Sequence, residues 1–179
     1  MANWIYKKGA AERKDFVVSY ISGAKSLEEA LAVTKENIVV IGKGIESMAI
    51  SANAETEEKR DVLGNNNYDV VGYSETMPVS PLKIRDDDRY AIFIDEAFER
   101  RKILDDLACW YLCWKEYKTD ENGGKCAWIQ KGVPVLGDFA DGLNGISTSH
   151  DVHFVDERHY GVLAKDLSGF TEETETEDL

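Results

Sequence analysis

The stretch LACWYLCWKEY, residues 107 to 117, restricts the fold more than any other part of the chain. Periodicity alone leaves it open between helix and strand, but its aromatic content favours a strand. Alternation then sets Ala108, Trp110, Leu112 and Trp114 on one face and Cys109, Tyr111 and Cys113 on the other. Asp120-Glu121-Asn122-Gly123-Gly124 follows as a strong turn signal, and KCAWIQKGVPVLG reads as the returning strand. A β-hairpin of this size commits the domain to antiparallel sheet.

The flanking segments extend that reading. FVVSYISG, residues 16 to 23, and NIVVIGKG read as strands closed by glycine. Between them Ser26 and Glu29 form a capping box for a helix expected to run to Glu36, with Leu27, Ala30, Leu31 and Thr34 facing inward. Gly42-Lys43-Gly44 lacks the spacing of a nucleotide loop and reads as a turn. IESMAISANA, residues 45 to 54, alternates as a half-buried strand. ETEEKRDVLGNNNYD is polar and reads as a long exposed excursion, and the segment after it is extended, with Pro78 and Pro81 arguing against a central strand.

A second helix is expected around Tyr90, Phe93, Ile94, Ala97 and Phe98, which form one apolar stripe. Asp86, Asp87 and Asp88 stand at its positive end and Arg100, Arg101 and Lys102 at its negative end. Three adjacent aspartates could bind a divalent cation, but capping and the helix dipole already account for them. DFADGLNGIST is loop-like, and HDVHFVDERHYGVL reads as a strand, a turn and a last short strand. The expectation is six to eight strands and two helices in a mostly β, α+β domain, a sandwich or barrel with a flanking helix.

Charge and cysteine content narrow the function. With 21 basic and 34 acidic residues the chain carries a formal charge of −13, which is not the balance of a protein that grips nucleic acid. No stretch approaches the length of a membrane span, and residues 1 to 16 lack a secretory apolar core, so a cytosolic protein is expected. Cys109, Cys113 and Cys126 show no CxxC spacing and read as buried thiols.

The three histidines, His150, His153 and His159, lie close together with Asp151, Asp156 and Glu157 between them. In a strand His150 and His153 point to opposite faces and cannot share one metal, while His159 falls beyond the turn. No GxSxG or HExxH motif is present, and acidic pairs such as Asp105-Asp106 arise freely in so acidic a chain.

The order of elements from IGKGIESMAISANAETEEKRDVLG through DVVGYSETMPVSPLKIRDDDRYAIFIDEAFERRK to GDFADGLNGISTSHDVHFVDERHYGVL resembles the major tail protein, or tail tube protein, of long-tailed bacteriophages of Gram-positive bacteria. The positions that carry the resemblance are Gly72 and Tyr73, Phe93 and Asp95 in the helix, Arg101 and Lys102 at its end, Asp138, Phe139, Asp141 and Gly142 in the Gly/Asp loop, and Gly161 near the close. The resemblance implies a non-enzymatic virion protein, with no cofactor or metal. It implies two packed antiparallel sheets flanked by a helix, in one domain over residues 1 to 170 with an N-terminal arm at 1 to 15 and a disordered acidic tail at 171 to 179. Six copies would close into a ring, and rings would stack into a tail tube that forms around a tape-measure protein, meets tail-completion proteins and passes DNA without binding it tightly.

Assembly in the bacterial cytoplasm follows from that reading, with no membrane partner. The excursion containing Glu55, Glu57, Glu58, Lys59, Arg60, Asp61, Asn65 and Asn66 is the expected ring-to-ring contact. Two other functions stay open: a metal-dependent hydrolase built on His150, His153 and His159, and a monomeric β-sandwich binding module whose Trp110, Trp114 and Trp128 contact a ligand.

Overall fold

A computed structural model describes residues 3–46, 48–139 and 145–173. In chain order these residues form strand β1 (Ile5–Tyr6), strand β2 (Phe16–Ile21), helix α1 (Leu27–Leu31) and strand β3 (Ile38–Ile41). Strands β4 (Ala54–Arg60), β5 (Asn66–Tyr73) and β6 (Thr76–Lys83) come next, then helix α2 (Arg89–Glu99). The chain closes with β7 (Cys109–Thr119), β8 (Lys125–Phe139), β9 (Ser147–Leu163) and β10 (Phe170–Glu172). The fold is mostly β, as expected, with a curled antiparallel sheet and two helices.

That sheet runs β10-β9-β8-β7-β2-β3, with β1 added to the far end of β7 and β6 added to the first half of β9; β4 and β5 pair only with each other. β7 sits between β2 and β8, and its alternation is the expected one. Cys109, Tyr111 and Cys113 enter a core that also holds Val18 and Tyr20 of β2, Met77, Val79 and Leu82 of β6, and Tyr90 and Ile94 of α2. Trp110, Leu112 and Trp114 enter a second core with Ile21, Ala30 of α1, Ile129 and Leu163, against which Phe170 packs. With both faces covered, β7 is apolar on both, which is why its periodicity is ambiguous between helix and strand. Burial is the main cause that pushes the Cys109 and Cys113 thiols up to about 12, so both remain protonated and pack as hydrophobes.

The turn between β7 and β8 is held by Asp120, whose carboxylate accepts from the backbone N–H groups of Asn122 at 2.8 Å and Gly124 at 2.7 Å. Helix α2 starts as charge and spacing predict: the Asp88 carboxylate accepts from the Tyr90 and Ala91 N–H groups, while Asp87 pairs with Lys43 at 3.3 Å. Capping and pairing thus engage two of the three adjacent aspartates, Asp88 and Asp87.

Several expectations are corrected. Helix α1 spans five residues and ends at Ala32, because Asn37 turns the chain back by accepting the Thr34 N–H on its side chain. The described residues between 45 and 53 form no strand beyond a single bridge from Ser51 to Thr76; Asn53 adopts a left-handed conformation, φ 44°, and its amide donates to the Ser74 carbonyl. The polar excursion is an ordered hairpin, β4–β5, rather than a loop. β9 is continuous through Asp156-Glu157, where the sequence suggested a turn: Asp156, φ 60°, opens a bulge, and pairing with β8 resumes at His159. A single continuous sheet, not two separate ones, supplies most of both cores. The sheet also reaches past the expected boundary at residue 170, since Thr171 and Glu172 pair with Val162 and Gly161; residues 174 to 179 of the expected tail lie outside the described residues.

Gly161 makes this last pairing possible, because a Cβ there would stand 2.2 Å from the Thr171 carbonyl oxygen and 2.6 Å from the Phe170 ring. Gly161→Ala is expected to push β10 off β9 and to cost about 1–3 kcal/mol. Urea unfolding and loss of amide protection at Thr171 would measure this.

Candidate functional site

Among the described residues the β4–β5 hairpin is the element least supported by the rest of the chain. Every residue of β4 is exposed, as is all of β5 except the half-buried Gly72. It is nevertheless well formed. Pairs run from Ala54↔Tyr73 to Arg60↔Asn66, with a bulge after Glu55↔Gly72. At the tip the Asp61 carboxylate accepts from the Leu63 N–H at 2.9 Å, the Asn65 N–H at 2.8 Å and the Asn65 side-chain amide at 2.9 Å. Those bonds, led by the Asn65 side chain, hold the Asp61 carboxyl below the usual carboxylate range.

The registers give the two faces of the ribbon different chemistry. One face carries the pairs Ala54/Tyr73, Thr56/Val70, Glu58/Tyr68 and Arg60/Asn66. The other carries Glu55/Gly72, Glu57/Asp69 and Lys59/Asn67, and there Lys59 reaches Glu57 at 3.0 Å and Asp69 at 3.7 Å. Tyr68, Val70 and Tyr73 are 68%, 55% and 65% exposed, and Val62 and Leu63 are exposed at the tip. An isolated two-stranded hairpin is marginal in water, and its exposed apolar side chains make this hairpin the candidate contact surface.

All eight residues expected at the contact, Glu55, Glu57, Glu58, Lys59, Arg60, Asp61, Asn65 and Asn66, lie on this hairpin, but on both faces and at the tip. Sequence reading missed Tyr68, Val70, Val62 and Leu63. The available signal was the alternation in NNYDV, obscured by the bulge that displaces Val71.

The other residues singled out do not gather into one site. Tyr73 and Gly72 stand at the hairpin root. Phe93 stacks on Tyr20 at 5.2 Å, and Asp95 is half-buried on α2. Arg101 takes the left-handed position after α2, φ 50°, where Lys102 N–H closes the helix on the Ala97 carbonyl. Phe139 stacks on Phe98 with ring centroids 4.1 Å apart, and the Asp138 carbonyl accepts from the Thr148 hydroxyl. Asp141 and Gly142 lie outside the described residues.

Nor does the structure assemble the three-histidine site. His150 is buried, with Nε2 2.6 Å from the Tyr90 hydroxyl, which lies 3.0 Å from that of Tyr111; its Nδ1 has no partner among the described residues. His153 is exposed on the opposite face, and His159 lies 2.7 Å from the Glu172 carboxylate. No group of three or more His, Cys, Asp or Glu among the described residues could hold a metal ion. Trp110, Trp114 and Trp128 are all buried, so they do not form the exposed contact of the binding-module reading. No helix among the described residues is long and apolar enough to cross a membrane.

Burial lowers the His150 pKa from its ordinary 6.5 to about 4. The unfolded chain therefore binds more protons than the folded one between these values. Stability is fully present above pH 6.5 and falls as pH drops toward 4, by about 3 kcal/mol in all. His150→Gln should flatten this limb of a stability-against-pH curve measured by urea unfolding.

No protein-family model and no curated protein matches the sequence. Solved structures similar to it at a distance include two with the following alignments. A chain of the six-fold symmetrised anti-feeding prophage baseplate aligns with TM-score 0.45 and 12% identity over 90% of this chain and 99% of that one. A chain of the sheath–tube complex of an extracellular contractile injection system, in its extended state, aligns with TM-score 0.45 and 13% identity over 87% of this chain and 93% of that one.

Proposed function

We propose that this chain is a structural subunit of a phage-type tail tube, an assembly protein without catalysis. The observation that carries the reading is the β4–β5 hairpin, ordered by its own pairing and tip bonds yet exposed on both faces. Such an element is stabilised when a neighbour covers it, which is what a repeating assembly provides. Among the described residues the main sheet also has open edges, along β3 on one side and along β6 beyond Thr76 on the other, and pairing them between neighbours would remove open backbone donors and acceptors.

In the assembly proposed, six copies close into a ring and rings stack through the hairpin into a tube. The tube forms around a tape-measure protein, joins tail-completion proteins and belongs to the virion tail, after assembly in the bacterial cytoplasm. DNA crosses the lumen during ejection. A formal charge of −13 per copy suits that passage, because a basic wall would hold phosphates by releasing their counterions, whereas an acidic one lets them slide. The hydrolase reading is not favoured by any placement of the histidines.

Negative-stain microscopy of the purified chain tests the proposal. Rings or tubes are expected, and a strict monomer at high concentration would overturn it. A variant in which two glycines replace Thr56 to Val70 should keep the circular dichroism of the sheet and helices but form no tubes. Normal tubes from that variant would remove the hairpin from the contact.

A further inference from the structure

The tail-tube reading leaves open which side of the hairpin meets a neighbour, and the two sides are not equivalent. On one, Tyr68, Val70, Tyr73, Ala54 and Thr56 form an apolar stripe on which the only ionised groups, Glu58 and Arg60, offset each other. On the other, Glu55, Glu57 and Asp69 outnumber the single cation Lys59, which already bridges Glu57 and Asp69. We propose, resting on that reading, that the Tyr68–Val70–Tyr73 face is buried against the body of a second copy of this chain, and that the Glu57–Asp69 face stays in water.

Charge selects both the face and the occupant. A cationic partner would be drawn to the acidic side. A second copy carries the same formal −13, so its approach to the acidic side is repelled, while the electrically balanced apolar side can be covered without bringing carboxylates together. The ion pairs of Lys59 are solvent-exposed and hold the acidic side in place at little gain or cost, as surface pairs do.

Area adds a second condition. Eight residues at ~3.3 Å rise, across two strands each ~4.8 Å wide, give a face of roughly 250 Å². A stable binary interface needs about 800 Å² per partner. One hairpin therefore cannot hold a dimer. The contact becomes effective when each copy both gives and receives a hairpin, so that many weak contacts close together.

Two paired variants and a proximity probe test this. Tyr68→Glu with Val70→Glu, changes at exposed positions, should abolish assembly in microscopy and sedimentation. Glu57→Gln with Asp69→Asn should assemble at least as well as the unaltered chain. A photo-crosslinking residue at position 70 should join two copies at least ten-fold more efficiently than one at position 69. This measurement stands even if the double glutamate variant fails to fold. Sedimentation should show monomer and large assemblies without an accumulating dimer. Assembly that survives the glutamate pair, or crosslinks only from position 69, would overturn the inference while leaving the tube reading intact; a stable dimer that grows no further would overturn both. Failure of the unaltered chain to assemble at all would instead overturn the tube reading, and the inference with it.

Discussion

Burial of β7 on both faces is the constraint on which the rest of the structure depends. One strand supplies Tyr111 and two thiols to one core and two tryptophans with Leu112 to the other. Each side then needs its own cover. On the first, β6 and α2 close over Tyr111, and the Tyr90 hydroxyl joins it to His150 of β9. On the second, α1 and the segment leading into β10 close over Trp114 and Leu112. Removing either cover would expose large aromatic area, so both helices and the final strand are consequences of the same eleven residues.

This dependence explains what the sequence reveals. β2, β7, β8 and their turn are legible because the alternation, the Asp120–Gly124 turn and the glycine stops are local signals that agree with the global pairing. The stripe and cap of α2 are legible for the same reason. The failures lie where tertiary contacts override local pattern. Residues 45 to 53 alternate like a strand, but their described part makes a β-bridge at a single position, Ser51 to Thr76. Asp156-Glu157 looks like a turn because a bulge and a turn use the same residues, and only β8 on the other side shows that the strand continues.

The candidate contact was half legible. Its place in the chain follows from polarity, but polarity conceals the hairpin. A ribbon exposed on both faces has no reason to show the clean alternation of a strand packed on a core. Its apolar face is also thin: Tyr68, Val70 and Tyr73 fall on one side only because the bulge after Glu55 resets the register between Val70 and Gly72. Without that bulge Tyr73 would join the acidic side.

The lengths of β8 and β9 have a mechanical meaning. The hairpin hands its chain directly to β6, which is paired antiparallel to β9 from Thr76↔His153 to Lys83↔Ser147, and β9 is in turn paired along most of its length with β8. Where a pull on the hairpin runs along β6, it loads these hydrogen bonds in shear so that they resist together rather than opening one at a time. Such tension on the projection is shared across the sheet instead of peeling away its edge.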